Sequence, residues 1–331
     1  MKTNLVDLLL ATYNGARYLS AQLDSILLQT HQDFRVLVSD DGSSDDTLAT
    51  VESYRARFGE RLILLTNPSP GRGVVRNFEN LMAASLQDGV ANWAAFCDQD
   101  DVWMPRKIER SLAEMRRIEV EDGKGGPCLV HSDLTVVDQN LELVCPSFTA
   151  YQSMNPGQCT PTSLLSMNQV TGCTAMVNRA LLKMALPLPR EVIMHDWWCA
   201  LVSGSGRRSF IAAPQVLYRQ HGGNQVGARS ARFGQRLLDF KAHGLGELRR
   251  VRAVGRSTYL QASALRQRLR SLEMDETYVS RYLEWREKAW WRQIADYRSY
   301  YMGPELNRFA RFLVWSRALV PDQRAGSGPK A

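Results

Sequence analysis

A chain of 331 residues has room for about two domains, or for one large α/β domain with an appendage. Its 44% hydrophobic and 23% charged content is ordinary for a globular protein and excludes a mainly disordered, collagenous or disulfide-stapled chain. The net charge of +7 is uneven: residues 1–206 carry 17 Lys and Arg against 24 Asp and Glu, a net −7, and residues 207–331 carry 24 against 10, a net +14.

An acidic body followed by a basic third implies different partners for the two parts. The Leu-rich start is interrupted by Asp7 and followed by no small-residue cleavage site, so Val6–Ala11 is expected to be a buried first strand rather than a leader. Helical periodicity follows over Ala16–Gln29, then a strand at Phe34–Ser39 and a helix over Asp45–Phe58 with Ser43 and Ser44 as cap candidates. A strand at Leu62–Leu65, a helix over Gly73–Leu86 and a strand at Trp93–Cys97 complete the first hundred residues. Strands alternating with helices predict βαβ units and a mainly parallel central sheet flanked by helices. Such sheets bind ligands at the carboxyl ends of their strands.

The middle of the chain shows a helix from Pro105 to Val120, a glycine-rich turn at Gly123–Pro127, a strand at Cys128–Ser132 and a long irregular stretch around Pro146–Pro161. Phe233 to Leu319 is almost wholly helical in pattern, and Pro321–Ala331 is polar and expected to fray. No apolar run reaches the ~18–20 residues that span a bilayer. The six cysteines, Cys97, Cys128, Cys145, Cys159, Cys173 and Cys199, form no Cys-x-x-Cys pair and are expected to be free thiols of a cytoplasmic protein.

Three strand ends carry polar chemistry. The first, Ala11-Thr12-Tyr13-Asn14-Gly15, lacks both the Gly-x-Gly-x-x-Gly of a dinucleotide fold and the Gly-Lys-Ser/Thr of a P-loop. The second runs Ser39-Asp40-Asp41-Gly42-Ser43-Ser44-Asp45; its acids can accept hydrogen bonds from a nucleobase or ribose, or can simply cap the next helix. The fourth runs Asp98-Gln99-Asp100-Asp101-Val102-Trp103. In an extended segment residues i and i+2 share a side, so Asp98 and Asp100 can address one ion. Carboxylates crowded at about 4 Å repel by roughly 1–4 kcal/mol per pair, and a hard divalent cation offsets this. The alternative is a solvated acidic turn, against which stands its place between an apolar strand and Val-Trp-Met-Pro.

These stretches, with Val75-Arg76-Asn77-Phe78, His195-Asp196-Trp197-Trp198 and Tyr218-Arg219-Gln220-His221-Gly222-Gly223-Asn224, resemble the family 2 nucleotide-sugar glycosyltransferases of GT-A fold. The last two resemble its bacterial rhamnosyltransferase branch. The likeness covers about residues 4–227 and implies a GT-A catalytic domain at 1–228, with a nucleotide-binding half at about 1–104 and an acceptor half at about 105–228. A basic helical extension at 229–320 and a disordered tail at 321–331 lie outside it.

The resemblance further implies that Thr12, Tyr13 and Asn14 line the nucleotide pocket and that Asp41, with Asp40 behind it, binds the base. It places Arg76 and Asn77 near the nucleotide, and Asp98 and Asp100 at Mg²⁺ or Mn²⁺, with Asp100 the direct ligand. Asp101 would be a second layer or sugar contact, and His221 would return to the metal or diphosphate. Asp196 matches the general base of inverting members. Trp103, Trp197 and Trp198 would stack on sugar, with Gly172 and Cys173 on the acceptor side. Alternatively His195 and Asp196 form a surface pair, with Trp197 and Trp198 in the core. The implied substrates are a nucleotide sugar, dTDP-L-rhamnose first and a UDP- or GDP-sugar second, and a cell-surface or lipid-linked glycan.

Arginines of the basic third, from Arg249 to Arg292, interleave with Trp285, Trp290, Trp291 and Tyr297. They suit contact with an anionic inner-membrane surface, or packing on the body or a second subunit; no nucleic-acid-binding motif accompanies them. Two rivals remain: a haloacid dehalogenase-type phosphatase, whose Asp-x-Asp would normally sit on the first strand, and a non-catalytic basic binding module.

Overall fold

The computed structural model describes residues 4–68, 70–152, 154–204, 206–222, 253–289, 292–293 and 296. The chain forms two compact units, Met1–Cys159 with Asn168–Ser230, and Thr160–Met167 with Ala231–Ala331.

The first unit opens with β1 (Val6–Thr12), α1 (Ala16–Leu27) and β2 (Phe34–Asp40). Then come α2 (Thr47–Ser53), α3 (Arg55–Phe58), β3 (Leu62–Leu64), α4 (Val74–Asp88), β4 (Trp93–Cys97) and β5 (Val102–Trp103). Next are α5 (Lys107–Asp122), β6 (Cys128–Ser132), β7 (Thr135–Val137), β8 (Leu143–Cys145) and α6 (Phe148–Gln152). After α7 (Pro161–Leu164), which belongs to the second unit, follow β9 (Met176–Asn178), α8 (Arg179–Ala185), α9 (His195–Val202), β10 (Arg207–Ile211) and β11 (Val216–Arg219).

The central sheet has the order β10-β6-β9-β4-β1-β2-β3. Its pairs are parallel except where β9 runs against β4 and β6. β1 is apolar on both faces because helices cover both, and Leu8, Leu9 and Leu10 are fully buried. Asp7 within it is held by Arg35 at 2.8 Å and by the Ser85 hydroxyl at 2.7 Å. The register pairs Thr12 with Asp40 and Leu10 with Cys97, so the polar ends of β1, β2 and β4 emerge at one edge. There the connections turn from β2 on one side of β1 to β4 on the other, the place where open α/β sheets bind ligands.

A second sheet, β5-β11-β7-β8, is built from strands of two to four residues. Pairing of Val216 with Trp103 and Leu217 with Val102 draws the segment after β11 onto the acidic turn after β4.

Two local expectations are corrected. The helix expected over Asp45–Phe58 divides at Tyr54, and Ser43 and Ser44 do not cap it: Ser43 Oγ donates to Asp40 Oδ1 at 2.6 Å, and the Ser44 N–H donates to Asn14 Oδ1 at 2.8 Å. The stretch at Pro146–Pro161 is not wholly irregular. Buried Asp133 accepts from the N–H and Oγ of Thr149 and from Ser147 Oγ, which organises α6.

The second unit contains α7, a helix over 253–271 (α10) and α11 (Thr277–Glu287). Leu265, Leu269, Val279, Tyr282, Leu283 and Trp285 are buried in it. Arg286 donates to the Gly255 carbonyl at 2.8 Å and Arg270 pairs with Glu276 at 2.8 Å, so part of the basic charge serves internal structure. Arg249, Arg250, Arg252, Trp290, Trp291, Tyr297 and the tail at 321–331 lie outside the described residues, as do Gly223 and Asn224. Among the described residues no helix is long and apolar enough to cross a membrane.

Candidate active site

A cavity of about 360 Å³ opens where β1, β2 and β4 end. Thr12, Tyr13, Asp41, Asn77, Asp98 and Asp100 line it, together with Gln99, Phe78, Met194 and Tyr218.

Its nucleoside end is a set of interlocked loops. Thr12 Oγ1 donates to Asp40 Oδ1 at 2.8 Å, and Asp40 Oδ2 accepts the N–H groups of Gly42 and Ser43 at 3.0 and 2.7 Å. Asp40 therefore shapes the turn, while Asp41 faces the cavity. The Asp41 carboxylate accepts the Gly71 and Gly73 N–H groups, each at 2.8 Å, and so fixes the loop opposite. Asn77, buried on α4, donates to the carbonyls of Thr12 and Ser39 at 3.2 and 2.8 Å, tying β1 to β2. Its Oδ1 is buried without a hydrogen-bond partner, which leaves an acceptor beside the cavity.

Asn14 and Arg76 are placed differently. Asn14, at φ 47°, accepts from the N–H of Ser44 and donates its own N–H to Ser43 Oγ, so it braces the turn rather than lining the cavity. The Arg76 guanidinium turns to Glu79 and donates to the carbonyls of Leu188 and Pro189 at 2.9 and 3.0 Å.

The acidic turn is held from two sides. Gln99 clasps the Tyr13 backbone, donating to its carbonyl and accepting from its N–H, both at 2.9 Å. A Cβ on Gly15 would lie 2.0 Å from Gln99 Oε1, so only glycine admits this clasp. From β11, the Arg219 N–H donates to Asp101 Oδ1 at 3.1 Å and its Nε to the Asp100 carbonyl at 2.8 Å. The Arg219 guanidinium also lies over Tyr18, 4.7 Å from the ring centroid. His221 Nε2 then sits 2.8 Å from Asp100 Oδ2.

Burial, reinforced by Asp100 and Asp196 and opposed by Lys107, pushes Asp98 up to about 7. Asp101, fully buried, is raised well above the carboxylate range by burial and by its acidic neighbours. Such mutual repulsion is what a cation relieves. Two cavity-facing carboxylates suit Mg²⁺ or Mn²⁺, and a neighbouring imidazole can join them. Asp98 and Asp100, with His221 beside Asp100, are donors of the kind a divalent ion takes, while ligand atoms of Asp98 and of the fully buried Asp101 and Cys173 lie within 4.8 Å of one another.

Asp196, in the first turn of α9, is 5% exposed. It accepts the Trp197 N–H at 2.6 Å. Burial raises it to about 6, against hydrogen bonds from Trp197, Asn168 and Gly172. A Cβ on Gly172 would come within 3.4 Å of Asp196 Oδ2 and 3.1 Å of His195 Nε2. Gly172 thus packs directly against Asp196 and His195, whereas Cys173, expected on the acceptor side, is fully buried beside Asp98 and Asp101.

His195 and Asp196 are not a surface pair. His195 stacks on Phe78 with centroids 3.7 Å apart, edge-on to Phe96, and burial lowers it to about 3. Trp103 and Trp198 do not reach the cavity wall: Trp198 is fully buried with its indole N–H on the Ala185 carbonyl at 2.9 Å, and Trp103 is covered by Lys107. Trp197 is 7% exposed.

The sequence passes over Gln99, Lys107, Tyr218 and Arg219 as site residues. Gln99 had a signal: it points opposite to its Asp neighbours in an extended segment, toward the first strand end. The other three depend on the second sheet and on packing beneath the turn.

The chain matches the family described as "Glycosyl transferase family 2" over residues 7–155, just under half its length. It is 26% identical over 229 residues to the dTDP-rhamnosyl transferase RfbG of Shigella flexneri, covering 66% of this chain and 74% of that one. It is 28% identical over 184 residues to the UDP-Glc:alpha-D-GlcNAc-diphosphoundecaprenol beta-1,3-glucosyltransferase WfgD of Escherichia coli, covering 55% of this chain and 63% of that one. Among solved structures it resembles residues 1–349 of S. aureus TarS in complex with UDP-GlcNAc, with a TM-score of 0.55 and 15% identity over 84% of this chain and 70% of that one.

Proposed function

We propose that the chain is a family 2 glycosyltransferase of GT-A fold that moves L-rhamnose from dTDP-L-rhamnose to a hydroxyl of a cell-surface glycan, with inversion at the anomeric carbon and with a divalent cation. The observation that carries this reading is the acidic turn that sets Asp98 and Asp100 in the wall of the strand-end cavity, with His221 Nε2 2.8 Å from Asp100 Oδ2. The rhamnosyl donor is supported by the likeness to RfbG, and a UDP-hexose donor by the lesser overlap with WfgD.

Asp98, Asp100 and His221 would hold Mg²⁺ or Mn²⁺, which when bound supplies electrophilic stabilisation to a departing nucleoside diphosphate. Asp41, the free Asn77 Oδ1 and the Thr12–Tyr13 backbone present acceptors and a wall to the nucleoside. Their loops are already fastened to one another, so the pocket is preorganised for the donor. Asp196 takes the proton of the acceptor hydroxyl as the new glycosidic bond forms, a contribution of about 10²–10⁴-fold. Held at about 6, it is ionised at neutral pH yet more basic than an ordinary aspartate. One base and direct displacement invert the sugar, so a β-linked donor gives an α-L-rhamnoside.

The net +14 of residues 207–331 supports peripheral contact with anionic lipid, where a lipid-linked acceptor on the cytoplasmic face would be met. The test is incubation of the purified protein with a panel of nucleotide sugars and Mg²⁺ or Mn²⁺, following nucleotide release. Turnover of dTDP-L-rhamnose above UDP- and GDP-sugars supports the reading; turnover of another donor alone refutes the sugar assignment, and none with any donor refutes the activity.

A further inference from the structure

We propose that Arg76 and Glu79 are positioning residues for the transfer reaction: together they clamp the loop at Leu188–Pro189 onto α4 and so set the entry into α9, which carries Asp196. This rests on the reading of Asp196 as base.

Residues 186–194 join α8 to α9 without regular structure. Such a loop owes its conformation to the partners its backbone groups find. Arg76 and Glu79 stand three residues apart on α4, on one face of the helix, and form an ion pair. Arg76 Nη1 and Nη2 donate to the adjacent carbonyls of Leu188 and Pro189 at 2.9 and 3.0 Å, and the Leu188 N–H donates to Glu79 Oε1 at 2.7 Å. Both polar groups of the Leu188 backbone are thereby taken by one pair of side chains. The planar fork of a guanidinium suits this, because it reaches two neighbouring carbonyls while keeping its carboxylate. The Pro189 carbonyl also accepts the Val192 N–H at 3.4 Å, closing the turn that follows, and the Leu188 and Val192 side chains are buried.

From there the chain runs through Met194, a residue of the cavity wall, into α9. The same turn of α4 holds the far end of the loop, for Phe78 stacks on His195 at 3.7 Å, while Asn77 ties β1 to β2. No side chain caps α9, so the direction of its first turn, with Asp196, follows from the loop that leads in. The bond from the Trp198 indole to the Ala185 carbonyl anchors the helix only after that point. Residues 76–79 thus join the nucleotide pocket to the base. A base displaced by about 1 Å can lose ~10²-fold in rate. Neither Arg76 nor Glu79 lines the cavity, so donor affinity should not depend on them.

The experiment uses the full chain and three readouts: kcat at saturating donor and acceptor, calorimetry with dTDP and Mn²⁺, and amide hydrogen exchange. Arg76→Met is expected to lower kcat about 10–10²-fold, to keep the dTDP dissociation constant within about twofold of wild type, and to raise exchange over residues 188–197. Both side chains are partly exposed, so the fold should tolerate their loss. Glu79→Leu, which leaves the Leu188 N–H unpaired, should match Arg76→Met, and Glu79→Gln, which keeps an acceptor, should recover most of that loss. Arg76→Met with Glu79→Leu should cost no more than either alone, since a single clamp is removed. A merely structural pair would lower thermal stability and leave kcat per folded molecule at the wild-type value, which overturns the proposal. Weaker dTDP binding with kcat retained would make Arg76 a nucleotide contact and also overturns it. Unchanged exchange over 188–197 in Arg76→Met overturns the clamp whatever the activity. Absence of turnover by wild type, or wild-type turnover by Asp196→Asn, refutes the functional reading beneath it instead.

Discussion

Acidification is the perturbation that bears most directly on Asp196. Its carboxyl is held at about 6 by burial, and a carboxylate in its proposed role as base works only when ionised, so transfer is expected to fall as pH drops through that value. A group titrating near 6 is about 90% ionised at pH 7 and about 10% at pH 5, so kcat should fall about tenfold between them. An ordinary aspartate would lose less than ~10% over the same range. Asp98, held at about 7 without a cation, titrates nearby, but a bound dication keeps it ionised. The assay is therefore nucleotide release with saturating acceptor, donor and Mn²⁺ from pH 5 to 8. At limiting Mn²⁺ the acid limb should move toward higher pH, because protons then compete at Asp98 as well. A kcat that is flat to pH 5 at saturating Mn²⁺ refutes the assignment of Asp196 as base.

Asp196→Asn should retain donor affinity in calorimetry and lose at least ~10²-fold in transfer; transfer at the wild-type rate would remove it from the mechanism. Gly172→Ala puts a methyl 3.1 Å from His195 Nε2, and His195 cannot retreat because Phe78 stacks on it at 3.7 Å. A cost of about 1–3 kcal/mol in urea unfolding and a reduced kcat are expected, and wild-type values for both would contradict this packing. Asn77→Ala should destabilise by about 1–3 kcal/mol and weaken donor binding as β1 and β2 lose their tie; unchanged affinity would show that Asn77 serves the fold alone.

The central sheet was legible because β1, β2 and β4 are apolar on both faces and end abruptly in polar turns. Their bounds in the structure differ from the sequence expectation by one residue or less. The second sheet was not. Strands as short as Val102–Trp103 carry no periodicity, and their pairing spans more than a hundred residues. That sheet brings Arg219 and His221 onto the acidic turn, so the location of His221 followed from resemblance and its support did not.

Adjacent Asp40 and Asp41 look alike in sequence. Only the structure shows one spent on the turn at Ser43 and the other on the loop at Gly71 and Gly73. Aromatics beside an acid are equally ambiguous. Trp103 and Trp198 have the composition of a sugar platform but are buried, one under an ammonium and the other bonded to a carbonyl. Lys107 had no visible signal, since a lysine in a helix's first turn is ordinarily solvated.

Asp98, Asp100 and His221 are proposed to hold a divalent ion against the donor's diphosphate. Phosphorus-31 relaxation of protein-bound dTDP with substoichiometric Mn²⁺ tests it directly. Strong broadening of both phosphate resonances in wild type, abolished in Asp100→Ala, is the predicted result. Equal broadening in wild type, Asp98→Ala and Asp100→Ala would contradict it.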